Sequence, residues 1–134
     1  MIEETCVIIK PDGVERGLIG EVIARFEKKL MKIVDMKMIT LQKEQAEELY
    51  EMHKEKDFFN QLIKYSTSGP VVILRIKGEE AVMNCRLIIG ETMPEKRSSG
   101  TIRGDFSPYL TENIVHASSS KEDAKKELTV FFEI

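Results

Sequence analysis

Thr5-Cys6-Val7-Ile8-Ile9-Lys10-Pro11-Asp12-Gly13 is the segment on which the fold turns. A short apolar, largely β-branched run stops abruptly at a lysine, a proline and a glycine. Such a run reads as a buried strand, and the Pro-Asp-Gly that follows reads as a turn. The next segment has a different period. Leu18, Ile19, Val22, Ile23, Phe26 and Leu30 share one helical face, and Glu21 and Arg25 lie four apart on the wet side. From Ile33 to Leu41 the period falls to two, with Val34, Met36 and Met38 alternating against Asp35 and Lys37, which predicts a second strand.

The remainder repeats this vocabulary. Lys43 to His53 is helical, with Ala46, Leu49, Tyr50 and His53 in register. A short helix over Phe58–Tyr65 takes Asp57 as its N-cap and ends at Ser68-Gly69-Pro70. Val71–Ile76 is a third buried strand, and Lys77-Gly78 turns it into a helix running from Glu79 to Ile89 and closed by Gly90. Residues 91–110 form a long irregular stretch bearing Lys96, Arg97 and Arg103, and loops of this length are often functional. Ile114–Ala117 is a fourth strand. Ser120 and Asp123 cap a last helix, and the tail from Thr129 to Ile134 reads as extended. The order predicts an α+β chain, a ferredoxin-like split βαβ fold in which a four-stranded antiparallel sheet is covered on one face by helices.

The 134 residues suit one domain, 1–134. Twenty basic and 23 acidic side chains leave a net charge of −3, without the basic stripe of a dedicated nucleic-acid binder. No apolar run reaches the length of a membrane span, and the acidic start Met1-Ile2-Glu3-Glu4 lacks the basic region of a secretory signal. Cys6 and Cys85 sit in apolar segments and read as buried thiols of an intracellular protein, so a cytoplasmic location is expected.

The sequence contains no GxxxxGK[ST], HExxH or CxxC motif, and Gly13, Gly17 and Gly20 have the wrong spacing for a dinucleotide fingerprint. An anion site must therefore be built from side chains. His53, on an inner helix face, reads as a packing histidine. His116, on a short strand before Ala117-Ser118-Ser119-Ser120, fits either a structural or a reactive role, and Glu127 in the following helix could hold its ring. Lys10 at a strand end, Arg86 on a helix and Arg103 beside Gly104 are candidate anion ligands, although salt bridges explain such residues as well. Phe58 and Phe59 point in different directions on a helix, so one is free to offer its face to a planar group.

Taken together, six collinear motifs resemble the nucleoside diphosphate kinase family. They are Ile9-Lys10-Pro11-Asp12-Gly13-Val14, Arg16-Gly17-Leu18-Ile19-Gly20-Glu21, Ser68-Gly69-Pro70-Val71-Val72, Gly90-Glu91-Thr92, Gly100-Thr101-Ile102-Arg103-Gly104-Asp105-Phe106 and Asn113-Ile114-Val115-His116. The resemblance implies ping-pong transfer of a terminal phosphoryl group from a nucleoside triphosphate to a nucleoside diphosphate, with magnesium (Mg2+) carried mainly by the substrate phosphates. It implies that His116 is the nucleophile and that Lys10 contacts the ribose and phosphates. Tyr50 would lie beside the transferred group, and Arg86, Thr92 and Arg103 would hold phosphates. Asn113 would bond the ribose, Phe58 would stack on the base between Leu62 and Leu110, and Ser118 and Glu127 would fix the histidine. It further implies a homo-oligomer, with a hexamer favoured. Two positions depart from the family's His-Gly-Ser-Asp, which here reads His116-Ala117-Ser118-Ser119, so a carboxylate near the metal-bound phosphates is missing. The C-terminus is also shorter than in many relatives.

Overall fold

A computed structural model describes residues 1–132. The opening apolar run is a strand, β1 (Ile2–Ile9), which begins three residues before Thr5. Its polar start is carried by the ladder, with Ile2 opposite Glu79 and Thr5 opposite Ile76. The chain continues through α1 (Pro11–Glu15), α2 (Ile19–Lys28), β2 (Lys32–Ile39), α3 (Lys43–Leu49), a 3-10 turn (Glu51–His53) and α4 (Phe59–Ser66). Next come β3 (Val71–Glu79), α5 (Ala81–Ile89), a second 3-10 turn (Pro94–Lys96), α6 (Ile102–Phe106), β4 (Val115–Ala117) and α7 (Lys121–Phe132). The four strands form one antiparallel sheet in the order β2-β3-β1-β4.

β1 and β3 occupy the centre, and their side chains are buried alternately on two faces. Val7, Ile9, Val72, Leu74 and Ile76 meet Val22 and Phe26 of α2 and Ala81, Cys85 and Ile89 of α5. Cys6, Ile8, Val71 and Ile73 meet Ala46 and Leu49 of α3, Leu62 and Ile63 of α4, and Leu128 and Phe131 of α7. Helices therefore cover both faces, not one. An unbroken apolar strand has no wet side, so each of its two faces requires a cover. Cys6 and Cys85 belong to opposite faces and are free, buried thiols. Among the described residues no helix is long and apolar enough to cross a membrane.

Several boundaries differ from those read in the sequence. Pro11-Asp12-Gly13 is not a bare turn but the start of α1, with Pro11 in the first turn, where its missing N–H costs nothing. α2 stops at Lys28, and Leu30 is an exposed residue at φ 65° rather than part of the apolar face. There Met31 N–H bonds to Phe26 C=O, closing the helix backwards. Asp57 caps nothing; Phe58 holds the N-cap position of α4 without a side-chain bond. β3 runs through Lys77-Gly78 to Glu79 because β1 pairs with it along its whole length. Gly78 is needed there, since a Cβ would meet the Met31 sulfur at 2.8 Å. The stretch 91–110 contains α6, capped by Thr101, whose Oγ1 accepts from Gly104 N–H. The tail over Thr129–Phe132 is helical, not extended, because Leu128 and Phe131 keep the helical period against the sheet. Glu133 and Ile134 lie outside the described residues. The other Ser120 and Asp123 expectation holds: Asp123 N–H donates to Ser120 Oγ at 3.0 Å.

β2 is the exposed edge. A bulge between Ile33 and Asp35 shifts the register, so Met36 pairs with Leu74 and Met38 with Val72. Val34, Met36 and Met38 remain exposed.

Candidate functional site

The site grows from one unusual piece of backbone. Ile114 sits at φ 76°, and Val115 N–H bonds to Asn113 C=O at 2.8 Å, closing a three-residue turn. A β-branched residue in this region is sterically costly. The turn is held from α1: Lys10 N–H donates to Ile114 C=O at 2.8 Å and Ile114 N–H donates to Asp12 Oδ2 at 3.0 Å. Gly13 completes the seat, because a Cβ there would come within 3.0 Å of the Ile114 carbonyl oxygen and Cγ2.

Three functional groups leave this turn in fixed directions. Asn113 is buried, its Oδ1 accepting from Lys10 Nζ at 2.9 Å and its Nδ2 donating to Leu110 C=O at 3.0 Å. The Val115 carbonyl accepts from Arg103 NH2 at 2.9 Å. His116 follows on β4, opposite Ile8 of β1. Its Nε2 lies 2.9 Å from Glu127 Oε1, and that oxygen also accepts from Ser118 Oγ at 2.8 Å. A carboxylate can only accept, so Nε2 carries the proton and Nδ1 keeps its lone pair. Among the described residues no hydrogen bond engages Nδ1. Tyr50 stands edge-on to the imidazole, with ring centroids 6.2 Å apart.

Two of the cations, Lys10 and Arg103, are buried, and Arg86 lies near Arg103 at the surface. Burial, with Arg103 nearby, pushes the Lys10 ammonium down to about 8. Burial, with Arg86 and Arg97 nearby, pushes the Arg103 guanidinium down to about 10. Arg103 is anchored on carbonyls: NH1 donates to Gly90 C=O at 3.1 Å and to Thr92 Oγ1 at 3.4 Å, and its buried Nε has no partner. Arg86 donates from NH1 to Ala117 C=O at 3.2 Å and is otherwise exposed. Positive charges crowded in this way relieve their mutual repulsion when a polyanion arrives. Burial also raises the Tyr50 phenol to about 12, so it stays neutral.

At the far end the surface is apolar and open. Phe58 and Leu110 are exposed, and Leu62 of α4 is buried in the core. His53 lies 5.4 Å from the Phe58 ring and 6.5 Å from the Tyr50 ring, so it packs against aromatics, but its buried Nδ1 has no hydrogen-bond partner among the described residues, unlike the hydrogen-bonded histidine expected. Phe59 is the member of the aromatic pair that faces the core.

The residues named from sequence thus fall into one continuous region. Ser119 points elsewhere, its hydroxyl donating to Asp123. Three contributors were not assigned roles from sequence. Asp12 and Tyr65 support the Ile114 turn, the phenol donating to Asp12 Oδ1. Arg97 ties the loop, donating to Glu91, Thr92 and Ser107 carbonyls at 3.0, 2.7 and 2.8 Å. Asp12 lies within the Lys10-Pro11-Asp12-Gly13 motif and Arg97 on the basic loop of residues 91–110, whereas nothing in the pattern marks Tyr65. A cavity of about 760 Å3 adjoins the site at Arg86, but Glu3, Glu80 and Glu91 line it against Arg86 and Lys121. That balance suits a polyphosphate poorly.

Comparison with known proteins agrees with this geometry. The family model described as nucleoside diphosphate kinase matches residues 3–134. The nucleoside diphosphate kinase of Sulfurisphaera tokodaii is 53% identical over 98% of this chain and 89% of its own length. That of Saccharolobus solfataricus is 51% identical over 98% of this chain and 95% of its own. Among solved structures, a halophilic nucleoside diphosphate kinase from Halobacterium salinarum in complex with CDP superposes with a TM-score of 0.95 at 38% identity, covering 100% of this chain and 90% of that one. The Aquifex aeolicus nucleoside diphosphate kinase gives 0.94 at 37% identity, covering 98% and 96%.

Proposed function

Because the chain belongs to the nucleoside diphosphate kinase family, we propose that residues 1–134 act as one catalytic unit that carries the terminal phosphoryl group between nucleotides on His116. The observation behind this reading is the imidazole itself, with Nε2 tied to Glu127 and Nδ1 unengaged. The Nδ1 lone pair attacks the γ-phosphorus of a nucleoside triphosphate. The bond to the bridging oxygen breaks, and the diphosphate leaves with the electron pair. The imidazole keeps its Nε2 proton against Glu127, which stabilises the positive charge gained on attack. A second diphosphate reverses the sequence and takes the group away.

Phosphoryl transfer asks chiefly for alignment and for compensation of oxygen charge. Lys10, Arg86 and Arg103 compensate, with Thr92 as a hydroxyl donor. Tyr50 walls the transferred group, Asn113 and Lys10 orient the ribose, and Ser118 holds Glu127. Phe58 stacks on the base above Leu62 and beside Leu110. Every base has a π-face, so specificity is broad.

Mg2+ would be carried mainly by the substrate phosphates, whose oxygens are the hard ligands it prefers. When bound there it neutralises phosphate charge and orients the chain of phosphates. The apolar row Val34, Met36 and Met38 on an open strand edge supports assembly into a homo-oligomer, with a hexamer the form proposed, in the cytoplasm.

The test is incubation with each nucleoside triphosphate followed by intact-protein mass spectrometry. The protein should gain one acid-labile phosphoryl group, and any nucleoside diphosphate should remove it. His116→Ala should gain none; a label on Ser118 or Ser119 would overturn the mechanism.

A further inference from the structure

We propose that Asp12 and Tyr65 form a clamp that holds Ile114 in its strained turn, making Asp12 a positioning residue for the nucleophile. The proposal rests on the reading of His116 given above. A strained backbone conformation persists only where its surroundings over-determine it, at a cost of about 1–3 kcal/mol. Ile114 has no freedom of its own to escape, since its side chain is fully buried in the α2 and α5 face of the core. Among the described residues Asp12 is the one side chain that hydrogen-bonds to the backbone of Ile114 itself, while Arg103 takes the Val115 carbonyl.

Asp12 must accept twice. Its Oδ2 takes the buried Ile114 N–H, and its Oδ1 takes the Tyr65 hydroxyl proton. A carboxylate accepts at both oxygens and binds such donors more strongly than a neutral amide does, and an amide has only one accepting oxygen. Tyr65 in turn receives Asp12 N–H at 3.1 Å, so phenol and carboxylate fix each other. Tyr65 comes from α4, 53 residues away, so the clamp ties the helix beneath Phe58 to the strand bearing His116. Relaxing Ile114 to negative φ would redirect the peptides on either side of it. Asn113 would then leave Lys10, Val115 would leave Arg103, and His116 would lose its alignment.

Glycine supplies the test, because it adopts φ near 76° without strain. Asp12→Ala should slow His116 phosphorylation at saturating ATP by about 10- to 100-fold, and Tyr65→Phe by about 3- to 10-fold. In an Ile114→Gly background, which melts lower through lost packing, Asp12→Ala should cost less than about threefold, because no strain is left to restrain. A role in folding alone would leave saturating rates intact or would cost the same in both backgrounds, and either result overturns the clamp. If Asp12→Ala does not fold by circular dichroism, the Tyr65→Phe rate decides, and a parental rate refutes the proposal. Absence of phosphohistidine in the parent protein would instead refute the assignment of His116, whatever the clamp does.

Discussion

The two ends of the site are built on different principles. At the phosphate end Lys10, Arg103, Asn113 and Glu127 are 8, 6, 4 and 4% exposed, and each has named hydrogen-bond partners. At the proposed base end Phe58 and Leu110 are 47 and 52% exposed, and both side chains are apolar. Preorganised charge in a dry setting costs stability and is justified only where charge develops during reaction. In the proposed function the base undergoes no chemistry, so a single open ring at Phe58 would suffice, and tolerance for different bases would follow.

Three substitutions sharpen or break this contrast, the largest effect first. Lys10→Met should lower kcat/KM for nucleotides by about 100- to 1000-fold, the usual cost of one donor aimed at developing oxyanion charge. It should also raise stability. The Lys10 ammonium titrates at about 8 in the folded chain against 10.5 for free lysine. Between these values the folded state binds fewer protons than the unfolded chain. The burial cost is therefore complete below pH 8, worth up to about 3 kcal/mol less the loss at Asn113, and fades as pH rises towards 10.5. Melts of the variant should exceed the parent near neutrality, with the gain shrinking above pH 8. Over the same range the parent's kcat/KM should fall as Lys10 discharges. A parent profile flat to pH 10 would contradict this.

Glu127→Gln should slow single-turnover transfer by about 10- to 100-fold, the range seen when an orienting partner of histidine is lost, with melting nearly unchanged. Transfer at the parental rate would mean that the ring needs no such anchor. Phe58→Ala should be mildest, raising KM about fivefold, or about 1 kcal/mol, at constant kcat. Purine and pyrimidine substrates should stay within about 100-fold of each other in kcat/KM. A large drop in kcat would show the base end to be as tightly coupled to chemistry as the phosphate end.

Legibility in the sequence divides along a similar line. β2 showed its period of two through an alternating apolar row that stays exposed, whereas β1, β3 and α5 were visible because apolar periodicity reports burial directly. The strand ends were not, since Ile2–Glu4 and Lys77–Glu79 are recruited by pairing across the ladder rather than by their own composition. The extended reading of Thr129–Phe132 failed because four apolar or β-branched residues resemble a strand until α7 supplies their period. His116 with Glu127 could be paired from spacing, and the family motifs supplied most of the rest. The Ile114 turn was invisible. Nothing about an isoleucine announces positive φ, and the Asp12 and Tyr65 that hold it lie 102 and 53 residues from their respective partners.

The strand order β2-β3-β1-β4 also governs when this chain can first work. β1 is synthesised long before one of its sheet neighbours, β4. Ser118 bonds to Cys6 across 112 residues, an interval of roughly 6 to 22 seconds at common elongation rates. Throughout that interval the Val7–Ile9 edge is unpaired on one side and open to wrong partners. The nucleophile and Glu127 are translated only at the end of it. In the proposed reading, phosphoryl transfer must therefore wait until the chain has been made as far as Glu127, and a chain terminated before His116 should take up no phosphoryl group.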